Sequence, residues 1–344
     1  MNQNTAVEPD FSGVVRLAPE KSVKQMLTVE WDGNQTLVKI NSSSLSLIQT
    51  CPRKAFYTLH EGWKSRYGSS PLIFGSALHK GLQVFYEHPA RDRTMPVNFE
   101  HHAFLMAKGY DAPEKHFMYD AIAAFVQSAK SLELLADDDP RSVFSGVWVL
   151  RNYFETYLND QYEIHTDEHG PLVEREFSLP FYEDARLRIE LFGTIDFALR
   201  NTITNEILVG DHKTTSRMDS GFMNRVKPNH QYTGYLFAGH KVLGTSSENF
   251  LVNGIEVKAK PKTARGSPPK FIRQITRRSP EDFVEFHWAV RDAVDGYLRW
   301  KERDRWPLGN ADACSLWGGC QYLEVCAAPS ELRQNILEAK FRRA

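Results

Sequence analysis

Long apolar runs are missing from this chain of 344 residues. No stretch approaches the ~18–20 consecutive apolar residues of a membrane-spanning helix, so a helical integral membrane protein is not expected. The opening residues, MNQNTAVEPD, are polar and lack the apolar core of a secretory leader. A cytoplasmic, reducing setting is therefore expected. Charge of one sign is not in excess either: 42 Lys and Arg stand against 43 Asp and Glu, for a net charge of −1. A globally basic nucleic-acid coat is excluded, and any contact with nucleic acid must come from local basic patches. Internal repeats and low-complexity segments are absent, which excludes solenoid arrays. Cysteine is scarce, with four in all, and in a reducing setting disulfides are not expected. What remains is ordinary globular composition, 25% charged and 42% hydrophobic, with length for one large domain or two.

The stretch Gly193–Lys213, GTIDFALRNTITNEILVGDHK, organises the rest. Two short apolar, β-branched runs flank a polar turn at Arg200–Glu206, the pattern of a β-hairpin. Residues two apart in a strand share a face, so Asp211 and Lys213 project together. The hairpin can bring Asp196 beside them. Two carboxylates at one point repel and push one pKa up, and a hard divalent cation such as Mg2+ relieves that. A neighbouring lysine can then orient or deprotonate a water, or steady a developing oxyanion. The same letters also fit an exposed hairpin carrying ordinary surface charges.

Upstream, Met26–Ile40 alternates around Asp32-Gly33-Asn34 as a small hairpin, after a weakly ordered lead-in over 1–20. The serines at 42–44 offer a cap for a helix from about Leu45, and Cys51-Pro52 breaks it, with Pro52 suited to open the next helix. Leu72–Glu87 has helical period, with Leu78, Leu82 and Phe85 on one face and His79 on another; a lone histidine there is ordinarily a surface or satisfied core residue. Residues 88–165 read as helical, with Asp137-Asp138-Asp139-Pro140 as a solvated junction. Val173–Leu179 and Leu187–Leu191 alternate as strands, and of Glu174 and Glu176 the second is favoured to approach the hairpin carboxylates.

Downstream, HQYTGYLFAGHKVLG forms a helix ending at Gly244. Gln231 and Tyr235 lie four apart on one face, able to orient a phosphate or simply an incidental polar pair. Phe250–Val257 and Phe271–Thr276 read as paired strands. Basic residues crowd Lys258–Arg278, with no acidic residue from Val257 to Ser279, so phosphate contact and a solvated loop are both open there. Pro280–Arg303 is a long amphipathic helix, and a short one closes the chain.

Three of the four cysteines, Cys314, Cys320 and Cys326, are separated by five residues each, and the fourth, Cys51, lies far upstream. Four thiolates are what a [4Fe–4S] cluster needs. Structural zinc is also four-coordinate, but its cysteines usually come as closer pairs; four unrelated buried thiols are the remaining alternative.

Taken together and in order, these pieces resemble the iron–sulfur form of the RecB-like branch of the PD-(D/E)XK nuclease superfamily. That branch includes a CRISPR-adaptation exonuclease, the nuclease domain of AddB-type helicase–nucleases and many phage nucleases. The resemblance spans roughly Ser43 to Cys326. It rests on the serines and Cys51-Pro52 of Ser43–Pro52, FGSALHKGL with His79, GTIDF with Asp196, DHKT with Asp211 and Lys213, QYTGY with Gln231 and Tyr235, and the cysteine triplet. The triplet departs from the closer pairing that some members show.

The resemblance implies an α/β fold: a central mixed β-sheet flanked by helices, in the manner of restriction endonucleases, with a C-terminus stapled by an Fe–S cluster. It implies that His79, Asp196 and Asp211, with the backbone carbonyl of His212, ligate Mg2+ or Mn2+. Lys213 would act on the attacking water, Gln231 and Tyr235 would contact DNA near the scissile phosphate, and Cys51, Cys314, Cys320 and Cys326 would hold the cluster. The expected organisation is a lead-in and hairpin over 1–40, a nuclease domain over 41–330 with a helical insertion at 88–165, and a C-terminal helix over 331–344. The expected activity is metal-dependent hydrolysis of DNA, exonucleolytic on single-stranded or frayed ends, in recombination, repair or phage DNA processing, with a helicase or recombinase as possible partner. The competing expectation is a non-catalytic DNA-end-binding subunit with a structural cluster.

Overall fold

The computed structural model describes residues 26–66, 69–88, 94–132, 135–261, 267–315 and 319–343. The expected lead-in over 1–20 lies outside them, as do Lys262, Arg265 and Gly318. In chain order come strands β1 (Leu27–Trp31) and β2 (Thr36–Ile40), helices α1 (Ser42–Thr50) and α2 (Pro52–Ala55), and strand β3 (Trp63–Ser65). Helices α3 (Ser70–Glu87), α4 (Phe99–Ala107), α5 (Phe117–Ser128) and α6 (Val143–Tyr157) follow. Next are β4 (Tyr162–Ile164), β5 (Thr166–Asp167), β6 (Gly170–Pro171), β7 (Val173–Glu183), β8 (Leu187–Asn201) and β9 (Ile207–Thr215). The chain continues through α7 (Ser220–Asn224), α8 (His230–Leu243), β10 (Asn249–Glu256), β11 (Phe271–Arg277) and α9 (Pro280–Arg303). It closes with α10 (Asp312–Ser315), α11 (Leu323–Ala327), α12 (Ser330–Lys340) and β12 (Phe341–Arg343). No helix among the described residues is long and apolar enough to cross a membrane.

Two compact units emerge, each assembled from separate stretches of chain. The first comprises residues 1–67, 176–193 and 280–344, and the second 68–175 and 194–279.

In the first unit β1 and β2 form the expected hairpin, with Asp32 Oδ1 accepting from the backbone N–H of Asn34 and Gln35, each at 2.9 Å. Strand β2 runs parallel to Leu187–Leu191. The cap of α1 is Asn41, whose Oδ1 accepts from Ser44 N at 2.9 Å, rather than one of the serines. Cys51 is the extended residue between α1 and α2, with Pro52 at the first helical position, where its missing N–H costs nothing. An apolar cluster of Tyr57, Trp63, Tyr322, Val325, Leu337 and Phe341 ties the C-terminal helices to the α2 region. The last residues leave helical form, and β12 pairs antiparallel with β3.

In the second unit β8 pairs antiparallel with β9, β9 parallel with β10, and β10 antiparallel with β11, while β4 flanks the other edge of β8. The sheet is therefore mixed, as expected. Strand alternation divides its faces. Phe197, Leu199, Leu208, Leu251 and Ile255 join one core with Leu78, Leu82 and Phe85 of α3, Phe125 of α5 and Phe154 of α6. On the other face α8 packs closely: Tyr232 stacks on Phe250 at 4.9 Å between ring centroids, and Gly239 sits against Val209.

Gly210 is required where it stands. A Cβ there would lie 2.2 Å from the Phe197 ring and 2.8 Å from Leu251 O, one immovable neighbour and one locked in the core. Gly210→Ala should therefore destabilise the protein by about 1–3 kcal/mol, the usual cost of overpacking. Chemical denaturation would show this as a lowered midpoint, and an unchanged midpoint would contradict the packing described.

Candidate active site

The β8–β9 register pairs Phe197 with Gly210, so one step further along the ladder Asp196 comes level with Asp211-His212. Asp196 Oδ2 accepts from the His212 backbone N–H at 2.9 Å. Asp196, Asp211 and His212 are all buried. The two carboxylates thus share a site nearly closed to water. Burial first, and then the Asp211 charge, pushes the Asp196 carboxyl up to about 7, with His79 and Lys213 opposing that rise. Lys213 Nζ lies 2.6 Å from Asp211 Oδ2. That contact is an ion pair off the direction of a hydrogen bond, and no hydrogen-bond donor reaches Asp211 Oδ2 among the described residues.

His79 enters from α3. Its Nε2 lies 3.0 Å from the His212 carbonyl oxygen, an atom that can only accept, so Nε2 carries the hydrogen. Its Nδ1 faces Asp196 Oδ2 at 3.3 Å and Glu174 Oε1 at 3.9 Å, the second too long for a hydrogen bond. Burial alone would lower the His79 pKa, but Glu174, Asp196 and Asp211 outweigh it and raise it above the ordinary imidazole value. His79, a surface or core residue by helical period alone and a ligand by the resemblance, is aimed into the carboxylate site. Among the described residues His79, Glu174 and Asp196 offer ligand atoms that all lie within 4.8 Å of one another.

Glu174, rather than Glu176, is the nearby glutamate, and Glu176 is exposed. Glu174 has φ 49°, in the left-handed region, which interrupts the regular extended backbone of the strand at that residue. Such a conformation costs a non-glycine residue roughly 1–3 kcal/mol and tends to mark functional positions. No sequence signal separates Glu174 from its neighbours.

His212 points its ring to the opposite face. Asn253 Nδ2 lies 2.6 Å from its Nδ1, and the ring packs against Phe197 and Tyr86. Burial holds it well below the usual imidazole range, hence neutral. Its peptide meanwhile serves the site on both sides, through N–H to Asp196 and C=O to His79.

Helix α8 supplies the remaining polar groups. Asn229 caps it, accepting from Gln231 N at 2.9 Å, and the Gln231 amide donates to Tyr235 OH at 3.1 Å. Burial, then the Asp211 charge, raises the Tyr235 phenol, so it stays protonated. Tyr232, which sequence reasoning passed over, sets its ring 5.9 Å from Lys213 Nζ. Arg278 locks this region, donating to Thr233 Oγ1 at 2.8 Å and Thr276 Oγ1 at 2.7 Å.

The donor set fits a divalent cation. Asp211 Oδ2 is met only by the Lys213 ammonium among the described residues, and Asp196 resists ionisation. The carboxylates of Glu174 and Asp196 with the His79 imidazole suit Mn2+ or Mg2+, Asp211 lying beside that group rather than within it. The sequence's most basic stretch is less available than it reads. Lys260 pairs with Glu100, Arg277 with Glu248 and Arg273 with Asp160, and Arg278 is buried.

The four cysteines belong to the first unit: Cys51 is buried and the other three are half-buried. No group of three or more cysteine, histidine or acidic ligand atoms within 4.8 Å of one another includes a cysteine among the described residues. Gly309 N donates to Cys51 Sγ at 3.3 Å, and Cys320 N to Cys314 O at 2.8 Å. Burial first, and then Cys320, Cys51 and Cys314, pushes the Cys326 thiol up, Arg53 opposing.

The family model for the PD-(D/E)XK nuclease superfamily matches residues 39–327, most of the chain. Members are nucleases that use divalent metals, in keeping with the acidic site found here. No curated protein matches the chain significantly.

Because the Asp196 pKa is about 7 in the fold and 3.8 outside it, folding favours the protonated carboxyl. That contribution is fully present below about pH 4 and is lost as pH rises to 7. Asparagine mimics the protonated form. Metal-free Asp196→Asn should thus melt a few degrees above wild type at pH 8, by roughly 2–4 °C per kcal/mol relieved, and the gap should close toward pH 5. A gap independent of pH would show that the charge is not strained.

Proposed function

Because the chain belongs to the PD-(D/E)XK nuclease superfamily, we propose that it hydrolyses DNA phosphodiester bonds as an exonuclease on single-stranded or frayed ends. One observation carries this reading: a buried pair of carboxylates, Asp196 and Asp211, with His79 and Lys213 beside them and no internal partner that satisfies both. A binding module has no use for that electrostatic cost.

His79, Asp196 and Glu174, with Asp211 beside them, would hold the divalent cation; the His212 carbonyl, implied as a ligand by the resemblance, is instead taken by His79 Nε2–H and faces away from Nδ1. When bound, the cation supplies charge neutralisation at the phosphate and lowers the pKa of water. The chain's own groups do the rest. His79 must present Nδ1 without its proton, while Nε2–H stays on the His212 carbonyl; cation binding is thereby coupled to proton release. Lys213 Nζ is held at the Asp211 carboxylate, placed to donate to a phosphate oxygen or to orient the attacking water. Gln231 and Tyr235, joined by their hydrogen bond, would offer the amide and the protonated phenol to the DNA backbone near the scissile phosphate. A helicase or recombinase partner accords with activity on ends.

Cleavage of end-labelled single- and double-stranded DNA tests this directly. With Mn2+ or Mg2+ wild type should degrade the strand, and Lys213→Ala and Asp211→Ala should each reduce the rate by 100-fold or more, the scale of losing an electrostatic stabiliser. Binding without cutting by wild type and variants alike would instead leave an end-binding subunit.

We further propose that Cys51, Cys314, Cys320 and Cys326 hold a [4Fe–4S] cluster. Each of the other three thiols raises the Cys326 pKa, so the four share one electrostatic neighbourhood. Their atoms are not drawn together as around a single zinc ion, whose sulfurs would stand about 3.8 Å apart at Zn–S of about 2.3 Å. The Gly309 N–H to Cys51 Sγ bond is of the kind that tunes cluster potentials. Anaerobically purified protein should carry about four irons and four sulfides per chain, lost on Cys320→Ser. Zinc at one per chain would overturn this.

A further inference from the structure

The first unit contains a cleft of about 650 Å³ lined by Arg53, Arg299, Arg303 and Arg305, with Trp300 and Trp306 in its wall. Asp304 is the one acid of the lining. Such a concentration of positive charge is unusual in a chain whose net charge is −1. Arg299 and Arg303 lie four apart near the C-terminal end of α9 and so share a helix face. Arg303 and Arg305 are exposed, as is Arg299, and none of the three has an ion-pair partner among the described residues. Favourable interaction with the helix C-terminus accounts for one such cation in the last turn, but Arg53 and Arg305 lie outside that helix.

The cleft is also rigid on one side. Arg53 Nε donates to the Trp306 carbonyl at 2.7 Å, fixing α2 to the turn that follows α9. The Trp306 ring is wedged among Phe56, His60 and Tyr297, at centroid distances of 5.2, 5.2 and 5.4 Å. Its Nε1 is buried without an acceptor among the described residues. Trp300, whose ring centroid lies 6.2 Å from that of Trp306, is half-buried and lines the cleft. Unpaired guanidinium forks match phosphate oxygens, and an indole lining such a cleft can stack on an unpaired base. Among the described residues of Lys258–Arg278, Lys260, Arg273 and Arg277 are ion-paired and Arg278 is buried, whereas the three arginines here are unpaired.

We propose that this cleft is a nucleic-acid site of its own, binding the phosphates of a single strand through Arg299, Arg303 and Arg305 and stacking one base on Trp300. This deepens the nuclease reading and rests on it for the choice of nucleic acid over an acidic protein. All the proposed cation ligands and Lys213 belong to the second unit, so the two sites can be altered separately.

The test uses the full chain with Arg299→Glu and Arg303→Glu combined, both at exposed positions, and Arg299→Gln with Arg303→Gln as a milder pair. Fluorescence anisotropy with a labelled oligo(dT) strand is read in EDTA, where no cleavage intervenes, across a salt series. The charge-reversed pair should bind at least 10-fold more weakly. The neutral pair should reduce the slope of log K against log salt by about 1.4, two phosphate contacts at about 0.7 each for single strands, and Trp300→Ala should weaken binding without changing that slope. Affinity and slope equal to wild type would overturn the proposal and leave an acidic protein surface as the better occupant. Hydrolysis of bis(p-nitrophenyl) phosphate by the same variants, measured with Mn2+, separates this outcome from failure of the nuclease reading. A protein that binds through the arginines yet never cuts keeps the cleft and loses the nuclease.

Discussion

Two carboxylates that cannot comfortably both ionise set the terms for the second unit. The β8–β9 register forces Asp196 and Asp211-His212 to one level, and Gly210 permits the close strand approach that fixes it. Everything nearby answers the resulting charge: His79 from α3, Lys213 from the strand itself, and the protonated phenol of Tyr235 from α8. None of them cancels it. The Asp196 carboxyl is raised first by burial and then by the Asp211 charge, a cost that a divalent cation would relieve.

The His212 peptide is the pivot of that arrangement. Its N–H and C=O serve Asp196 and His79, while its ring is held from the far side of the sheet through Asn253. A strand residue between two functional ones must point away from them. Here the away-facing side chain anchors the backbone segment that the functional pair depends on. Tyr153, which accepts from Asn253 at 2.7 Å and pairs with Tyr86 OH at 2.6 Å, extends that anchor into the helical core.

Much of this was legible in the sequence because it followed from short-range periodicity. The hairpin, the shared face of Asp211 and Lys213, the Gln231–Tyr235 pair and the span of α9 all depend on neighbours two to four residues apart. The aim of His79 did not, since helical period gives a face but not what lies opposite it; only the family resemblance pointed it at the carboxylates. Glu174 escaped because two-residue spacing cannot choose between Glu174 and Glu176, and the left-handed backbone that marks Glu174 is not written in the sequence. The basic run at Lys258–Arg278 misled for a complementary reason. Its neighbours in sequence lack acids, but its neighbours in space include Glu100, Asp160 and Glu248. The arginine cleft stayed hidden because Arg299, Arg303 and Arg305 sit among Lys301, Glu302 and Asp304 in the sequence, and only the structure shows that they face one cleft with Arg53 rather than pair with those acids.

The central claim is that the Asp196–Asp211 site is built for a divalent cation. Titration of metal-free protein with Mn2+, followed by the loss of the free-ion electron paramagnetic resonance signal, tests it without reference to catalysis. The account predicts saturable binding at pH 8 that weakens toward pH 6, as His79 and Asp196 take up protons, and that is abolished by Asp211→Asn. Binding that is absent, or that survives both the acidification and the substitution, would contradict it.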